Sequence, residues 1–349
     1  MVRGIILNHQ DKGRAFLQAL GDSLVEYDKA HGVLDFDPDF ALIDNDVYGR
    51  GFLERLAKKG CQNFFVYPHD AGPNLTNDIH PAWNRTTAAF VTTPRHAEIM
   101  GLYGYEKPIH VIGWHLCKQR PFKPTDGRRV LFAPIHPRCA AEDQEANRKA
   151  FDILAALAKD DKIELTVRYI GNLKDSNIPR LRNKNIKYVE GRAEPAIWQI
   201  DRADVVVAYL TFAYLAAARG KPLIYFGSDL VHHLLPLGQP LEYAPNWDRY
   251  SHLMRYPYDI ADTDDPFGMI LEASAFDNRV AAWRKEMIGE PFNPDTFREL
   301  IAGYYSHLKR PIVVDEKAGP FDHFDDVQLA KYRMRFGSDQ RTWPLDFKE

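Results

Sequence analysis

With 349 residues, 45% of them hydrophobic, the chain is long enough to bury two cores, and a net charge of −3 from 45 basic and 48 acidic residues excludes a global field that would draw it to nucleic acid or anionic lipid. Three widely spaced cysteines, Cys61, Cys117 and Cys139, contain no Cys-x-x-Cys pair, which argues against a zinc site or redox dithiol and leads to the expectation of a reducing, cytoplasmic location. Residues 2–8 are too briefly apolar for a signal peptide, and no run approaches the ~18 apolar residues of a spanning helix, so no membrane span is expected.

Apolar pieces with strand character alternate with helical ones in two successive series. The first predicts a strand over 4–7, a helix over 13–29, a strand over 40–44, a helix over 49–59 and strands over 63–67 and 88–92, then a helix over 96–103 and a strand over 109–112. The hydrophobic pattern lapses over 114–128, where Pro121, Pro124 and Gly127 stand among Lys118, Arg120, Lys123 and Arg128, as in a linker. A second series follows, with a strand over 129–135, a helix over 142–158 and strands over 162–170 and 186–189. Alternation of this kind predicts parallel sheets with helices on both faces. Toward the end, 293–308 and 327–335 also read as helical.

The stretch ADVVVAYLTFAYLAAARGKPLIYFGSD, residues 203–229, is the most informative segment. Val205, Val206 and Val207 form a β-branched run suited to a strand buried on both faces, 212–219 is alanine-rich and helical, Gly220 supplies the stop, and 222–226 resumes as strand. Thr211 then sits at a helix N-terminus, where free N–H groups favour an anion such as a diphosphate.

The other candidates also follow strands. His136 and Arg138 come after the strand 129–135, Arg192 after the strand that ends near Glu190, and Ser228 and Asp229 close the loop after 222–226. Hydrogen-bonding cations and helix N–H groups can hold an anion such as a diphosphate without a metal, and Ser228 or Asp229 can hydrogen-bond the hydroxyls of a ligand at the same edge. In the first series His69 follows the strand 63–67 and precedes Asp70-Ala71-Gly72-Pro73. An imidazole with a pKa near about 6.5 can take the proton of an attacking hydroxyl, and Asp70 is close enough in sequence to orient it; His115 is the next histidine in line.

Several signals are discounted. Asp35-Phe36-Asp37, Asp37-Pro38-Asp39 and Asp44-Asn45-Asp46 each spell a metal-binding Asp-x-Asp, but triplets of this kind arise by chance among 48 acidic residues, and no metal is expected. His232-His233 lacks partners at ligand spacing. The aromatic stretch 247–258 reads as a packed connector rather than a base-stacking platform. No Gly-x-Gly-x-x-Gly or Walker-type loop occurs, which argues against a nicotinamide dehydrogenase or an ATPase.

The run Leu131-Phe132-Ala133-Pro134-Ile135-His136, the pair Ala203-Asp204 and the triplet Gly220-Lys221-Pro222 are similar to segments of the CDP-glycerol glycerophosphotransferase group and its UDP-N-acetylglucosamine epimerase-like relatives, which have the GT-B fold. Leu210-Thr211-Phe212 stands where that group carries a Ser-Ser turn. The resemblance implies two Rossmann-like, doubly wound α/β domains facing each other across a cleft. Residues 1–115 would bind the acceptor, 129–290 the nucleotide donor, and 291–349 would form a helical tail packing back on the first domain. It also gives an early histidine, here His69, the role of general base. The activity implied is metal-independent transfer of a sugar from a nucleotide-diphosphate donor, UDP-linked, to an acceptor hydroxyl, with no further cofactor. Glycerophosphate transfer from CDP-glycerol, sugar-nucleotide epimerisation and non-catalytic nucleotide-sugar binding are the alternatives. The acceptor stays open among a glycan, a lipid-linked glycan, a small molecule and a modified DNA base.

Overall fold

The computed structural model describes residues 3–7, 13–26, 37–44, 56, 61, 63–67, 86–102, 105–115, 118–135, 141–171, 173–191, 193–226, 258–276 and 280–305. They divide into two compact units. The first runs to Gln119 and takes back the described residues from Val280 to Tyr305; the second begins at Arg120 and includes those from Tyr258 to Phe276.

In the first unit, β1 (Gly4–Leu7), β2 (Leu24–Glu26), β3 (Phe40–Asp44), β4 (Asn63–Tyr67), β5 (Ala88–Val91) and β6 (Ile109–Val111) form one parallel sheet in the order β2-β1-β3-β4-β5-β6. Side chains alternate across a strand, so Phe64 and Val66 point to one face and Phe65 and Tyr67 to the other, and all four are buried. A strand with no solvated face needs cover on both sides. One face packs Ile5, Ile43 and Val91 with Met100 of α2 (Pro94–Leu102). The opposite face packs Phe40 and Phe90 with Phe16 and Leu20 of α1 (Arg14–Leu20).

The helix predicted over 13–29 is shorter than the pattern suggests. It ends at Leu20, Gly21 follows as its C-cap, and Leu24–Glu26 is β2, with Val25 paired to Ile5. Leu24 falls four residues after Leu20 and so continues the helical period by coincidence; pairing with β1 decides the outcome. Of the helix expected over 49–59 only Leu56 is described; it is helical and buried.

The second unit has β7 (Arg129–Phe132), α3 (Ala141–Lys159), β8 (Glu164–Tyr169), β9 (Ile186–Glu190), α4 (Ala196–Arg202), β10 (Val205–Ala208), α5 (Leu210–Ala218), β11 (Leu223–Tyr225) and α6 (Pro266–Ala275). Its sheet is parallel, in the order β11-β10-β7-β8-β9. Every residue of β10 is buried, as the valine run predicts. On α3, Ala150, Phe151, Leu154, Ala155 and Ala158 recur at helical spacing and are buried.

Residues 120–128, expected to belong to a linker, lie against this unit. The N–H of Arg120 donates to Ala218 O at 2.7 Å and that of Lys123 to Gly220 O at 2.9 Å. Gly220 is needed there: its φ is +68°, and a Cβ would stand 1.9 Å from the Pro121 carbonyl oxygen. Backbone pairing, rather than side-chain burial, holds the segment, which is why its hydrophobic pattern lapses.

Among the described residues the chain returns to the first unit at Val280, ahead of the boundary expected at 291. There α7 (Ala281–Met287) lies beside α2, with Arg95 donating to Glu286 at 3.0 Å. Next, α8 (Pro294–Tyr304), capped by the Asn293 side chain, buries Phe297 and Ile301 against α1. The segment 327–335 lies outside the described residues. No described helix is long and apolar enough to cross a membrane.

Candidate functional site

In the second unit the connections run from β7 outward through β8 and β9, then return to the other side of β7 with β10 and β11. The winding direction reverses between β7 and β10. At such a switch point the two crossovers leave in opposite directions and open a crevice at the carboxyl ends of the strands, the usual ligand position in open α/β sheets.

Two described features shape that edge. Beyond β7 the chain continues for a few residues, with Ala133 N–H donating to Val207 O at 2.9 Å, and Ile135 is held by Asn147 of α3. Asn147, fully buried, accepts from Ile135 N–H at 2.7 Å and donates to Ile135 O at 3.1 Å, so its amide acts as a neighbouring strand would. Beyond β10, Tyr209 is the N-cap of α5 in extended conformation, and its side chain makes no capping hydrogen bond. The Tyr209 ring rests on those of Tyr225 and Phe226, 5.3 and 6.1 Å between centroids.

The strands adjacent at the switch point therefore lead into the residues singled out in the sequence: β7 into His136 and Arg138, β10 into Thr211, and β11, beside β10, into Ser228 and Asp229. The backbone of Thr211 lies in the first turn of α5; its side chain is outside the described residues. His136, Arg138, Arg192, Ser228 and Asp229 are themselves outside them. Arg192 follows β9, at the far edge of the sheet from β11.

In the first unit β4, β5 and β6 are neighbours, and their exits share one edge. His69 and Asp70 follow β4 and lie outside the described residues. Beside that exit, β5 is followed by Thr92 and Thr93, both buried, and then by α2. Thr93 Oγ1 accepts the His96 N–H at 3.1 Å, and Thr92 Oγ1 hydrogen-bonds His96 Nδ1. His96 is 1% exposed, and burial pushes its pKa down to about 3, so the ring is neutral at physiological pH. After β6, the buried ring of His115 packs 4.8 Å from Phe16 and 5.7 Å from Tyr67, the last residue of β4.

Among the described residues no group of three or more His, Cys, Asp or Glu is arranged to hold a metal ion. Of the discounted Asp-x-Asp residues, Asp39 has a structural use: its carboxylate accepts the Arg3 N–H at 2.7 Å. Sequence reasoning passed over Asn147, Thr92, Thr93 and His96. A Thr-Thr-Pro run after a strand is a helix-start signal, and could have marked the last three.

No protein-family model matches the chain, and no curated protein does. Solved structures do. S. aureus MnaA in complex with UDP is 11% identical with a TM-score of 0.56, over 90% of this chain and all of that one. UDP-GlcNAc 2-epimerase from Neisseria meningitidis, bound to UDP-GlcNAc, is 10% identical with a TM-score of 0.50, over 88% of this chain and 99% of that one. The calicheamicin glycosyltransferase CalG4 is 15% identical with a TM-score of 0.47, over 88% and 99%. At such identities the likeness to the first two is one of fold alone. Two parallel-sheet α/β units of Rossmann type, aligned along nearly the whole chain, give this protein the GT-B glycosyltransferase-like fold.

Proposed function

We propose that the protein is a nucleotide-sugar-dependent glycosyltransferase that binds a UDP-linked donor on the second unit and an acceptor hydroxyl on the first. The observation that carries this reading is the switch point between β7 and β10, whose strands lead directly to His136, Arg138 and Thr211. The likeness to structures that hold UDP or UDP-GlcNAc supports the choice of ligand. In the reaction, His69 takes the acceptor proton as its oxygen bonds the anomeric carbon, Asp70 steadies the imidazolium, and the bond to the diphosphate breaks. His136, Arg138, Arg192 and the N-terminus of α5 receive the departing charge, and Ser228 and Asp229 hydrogen-bond the donor hydroxyls, without a metal.

Epimerisation of a nucleotide sugar is the second reading, favoured by the fold likeness to the Neisseria epimerase along 99% of that chain. A panel of UDP-, GDP- and CDP-sugars separates the two. Free nucleotide released only when acceptor is added, and unaffected by chelator, is the transferase result; interconverted sugar without acceptor is the epimerase result; binding without turnover overturns both. In the transferase, His69→Ala lowers turnover by about 10²- to 10⁴-fold with donor affinity retained.

A further inference from the structure

Arg168 is the penultimate residue of β8, on the face opposite the buried Leu165 and Val167. Its Nη2 donates to the Gly191 carbonyl at 2.9 Å, and its guanidinium carbon lies 4.9 Å from the centre of the Phe212 ring. Gly191 immediately precedes Arg192, and Phe212 immediately follows Thr211. One side chain thus touches the chain neighbours of two candidate anion-binding residues. Those neighbours belong to connections after β9 and β10, strands that are not adjacent in the sheet. The fit leaves no slack: a Cβ on Gly191 would stand 2.7 Å from the guanidinium carbon and 2.8 Å from Nη1.

We infer that Arg168 is a positioning residue for the nucleoside-diphosphate donor, clamping the turn after β9 to the first turn of α5 so that both face one diphosphate. This rests on the nucleotide-binding reading above. A guanidinium suits the task because its edge donates to a carbonyl while its face lies on an aromatic ring, a pairing that an ammonium cannot reproduce. The electrostatics point the same way. A cation beside the N-terminal turn of a helix opposes the helix dipole, and a bound diphosphate reverses that balance by attracting both.

The test is calorimetric titration of the full chain with UDP, GDP and CDP, on the parent, Arg168→Lys, Arg168→Gln, Gly191→Ala and the double variant Arg168→Gln/Gly191→Ala. The nucleotide that binds the parent should bind Arg168→Lys and Arg168→Gln about tenfold or more weakly, with melting temperatures within a few degrees of the parent. Gly191→Ala should cost a similar factor alone and little more in the Arg168→Gln background, because no guanidinium is left to displace. In turnover, KM for the donor should rise while KM for the acceptor stays put. Affinity of Arg168→Lys within twofold of the parent, or strictly additive losses in the double variant, overturns the Arg168 assignment alone. A parent that binds none of the three nucleotides overturns the nucleotide-binding reading and this one with it.

Discussion

Asp204 accepts the backbone N–H of Arg129 at 2.7 Å and, through the same carboxylate, the guanidinium of Arg129, Nη2 to Oδ1 at 2.6 Å. Arg129 is the first residue of β7 and Asp204 immediately precedes β10, so this contact ties the two strands at the amino end, opposite the edge where their exits diverge. The Asp204 side chain is 6% exposed and that of Arg129 61% exposed, so the attraction is only partly screened by water.

Burial acts to raise the Asp204 pKa, but the hydrogen bonds and charge of Arg129 outweigh it and hold the carboxyl below the ordinary range. A carboxylate depressed in the folded state contributes stability that is complete above its unfolded pKa, about 4, and is lost as pH falls through the folded value. Asp204→Asn should cost about 1–3 kcal/mol at pH 7 and less at pH 3. Urea denaturation of both proteins at the two pH values measures this; an equal gap at both would show that the charge contributes nothing.

His96 works in the acid range with the same sign. Its folded pKa of about 3 lies below the unfolded value near 6.5, so its neutral form stabilises the fold fully above pH 6.5, and that contribution drains away as pH falls toward 3. At pH 5 the loss amounts to about 2 kcal/mol for a group this deeply buried. His96→Leu is expected to be less stable than the parent at pH 7, since the hydrogen bond between Thr92 and the ring is lost, yet to lose less on going to pH 5. Parallel pH profiles for the two proteins would rule out His96 as the titrating group.

Phe297 is fully buried, with ring centroids 4.9 Å from Phe16 and 5.1 Å from Phe90, which ties α8 to the first sheet. Phe297→Ala should destabilise the protein by about 3–5 kcal/mol through lost burial and the cavity left behind. A melting temperature within a degree of the parent would mean that α8 is dispensable to this core.

Asn147 makes its two bonds to Ile135 in a buried site, so Asn147→Leu leaves both backbone groups of Ile135 without that partner, at a cost of about 1–3 kcal/mol each. Because Ile135 directly precedes His136, nucleotide affinity should fall as well as stability. Calorimetry on the folded variant separates the two effects: unchanged affinity would remove Asn147 from any role at the donor edge.

The two series of alternating strands and helices, and the strands that compose each, are determined by the sequence, because a β-branched or aromatic run such as Val205–Val207 or Phe64–Val66 states its own conformation and burial. Helix starts with a local signal, such as Pro294 behind the Asn293 cap, are equally legible. What local pattern could not decide was β2, which depends on the free edge of β1, and the attachment of α7 to the first unit, which depends on α2 and the Arg95–Glu286 contact. Strand order lies in the same class. Nothing in the spelling of β7 says that β10 rather than β9 lies beside it, yet that adjacency creates the switch point and brings the exits toward His136 and Thr211 together. Sequence reading identified residues that follow strands, since a polar residue after an apolar run is visible in one dimension. Arg168 and Asn147 escaped it because their partners, Gly191, Phe212 and Ile135, stand on other elements, and a side chain that serves another segment's backbone leaves no periodic trace on its own.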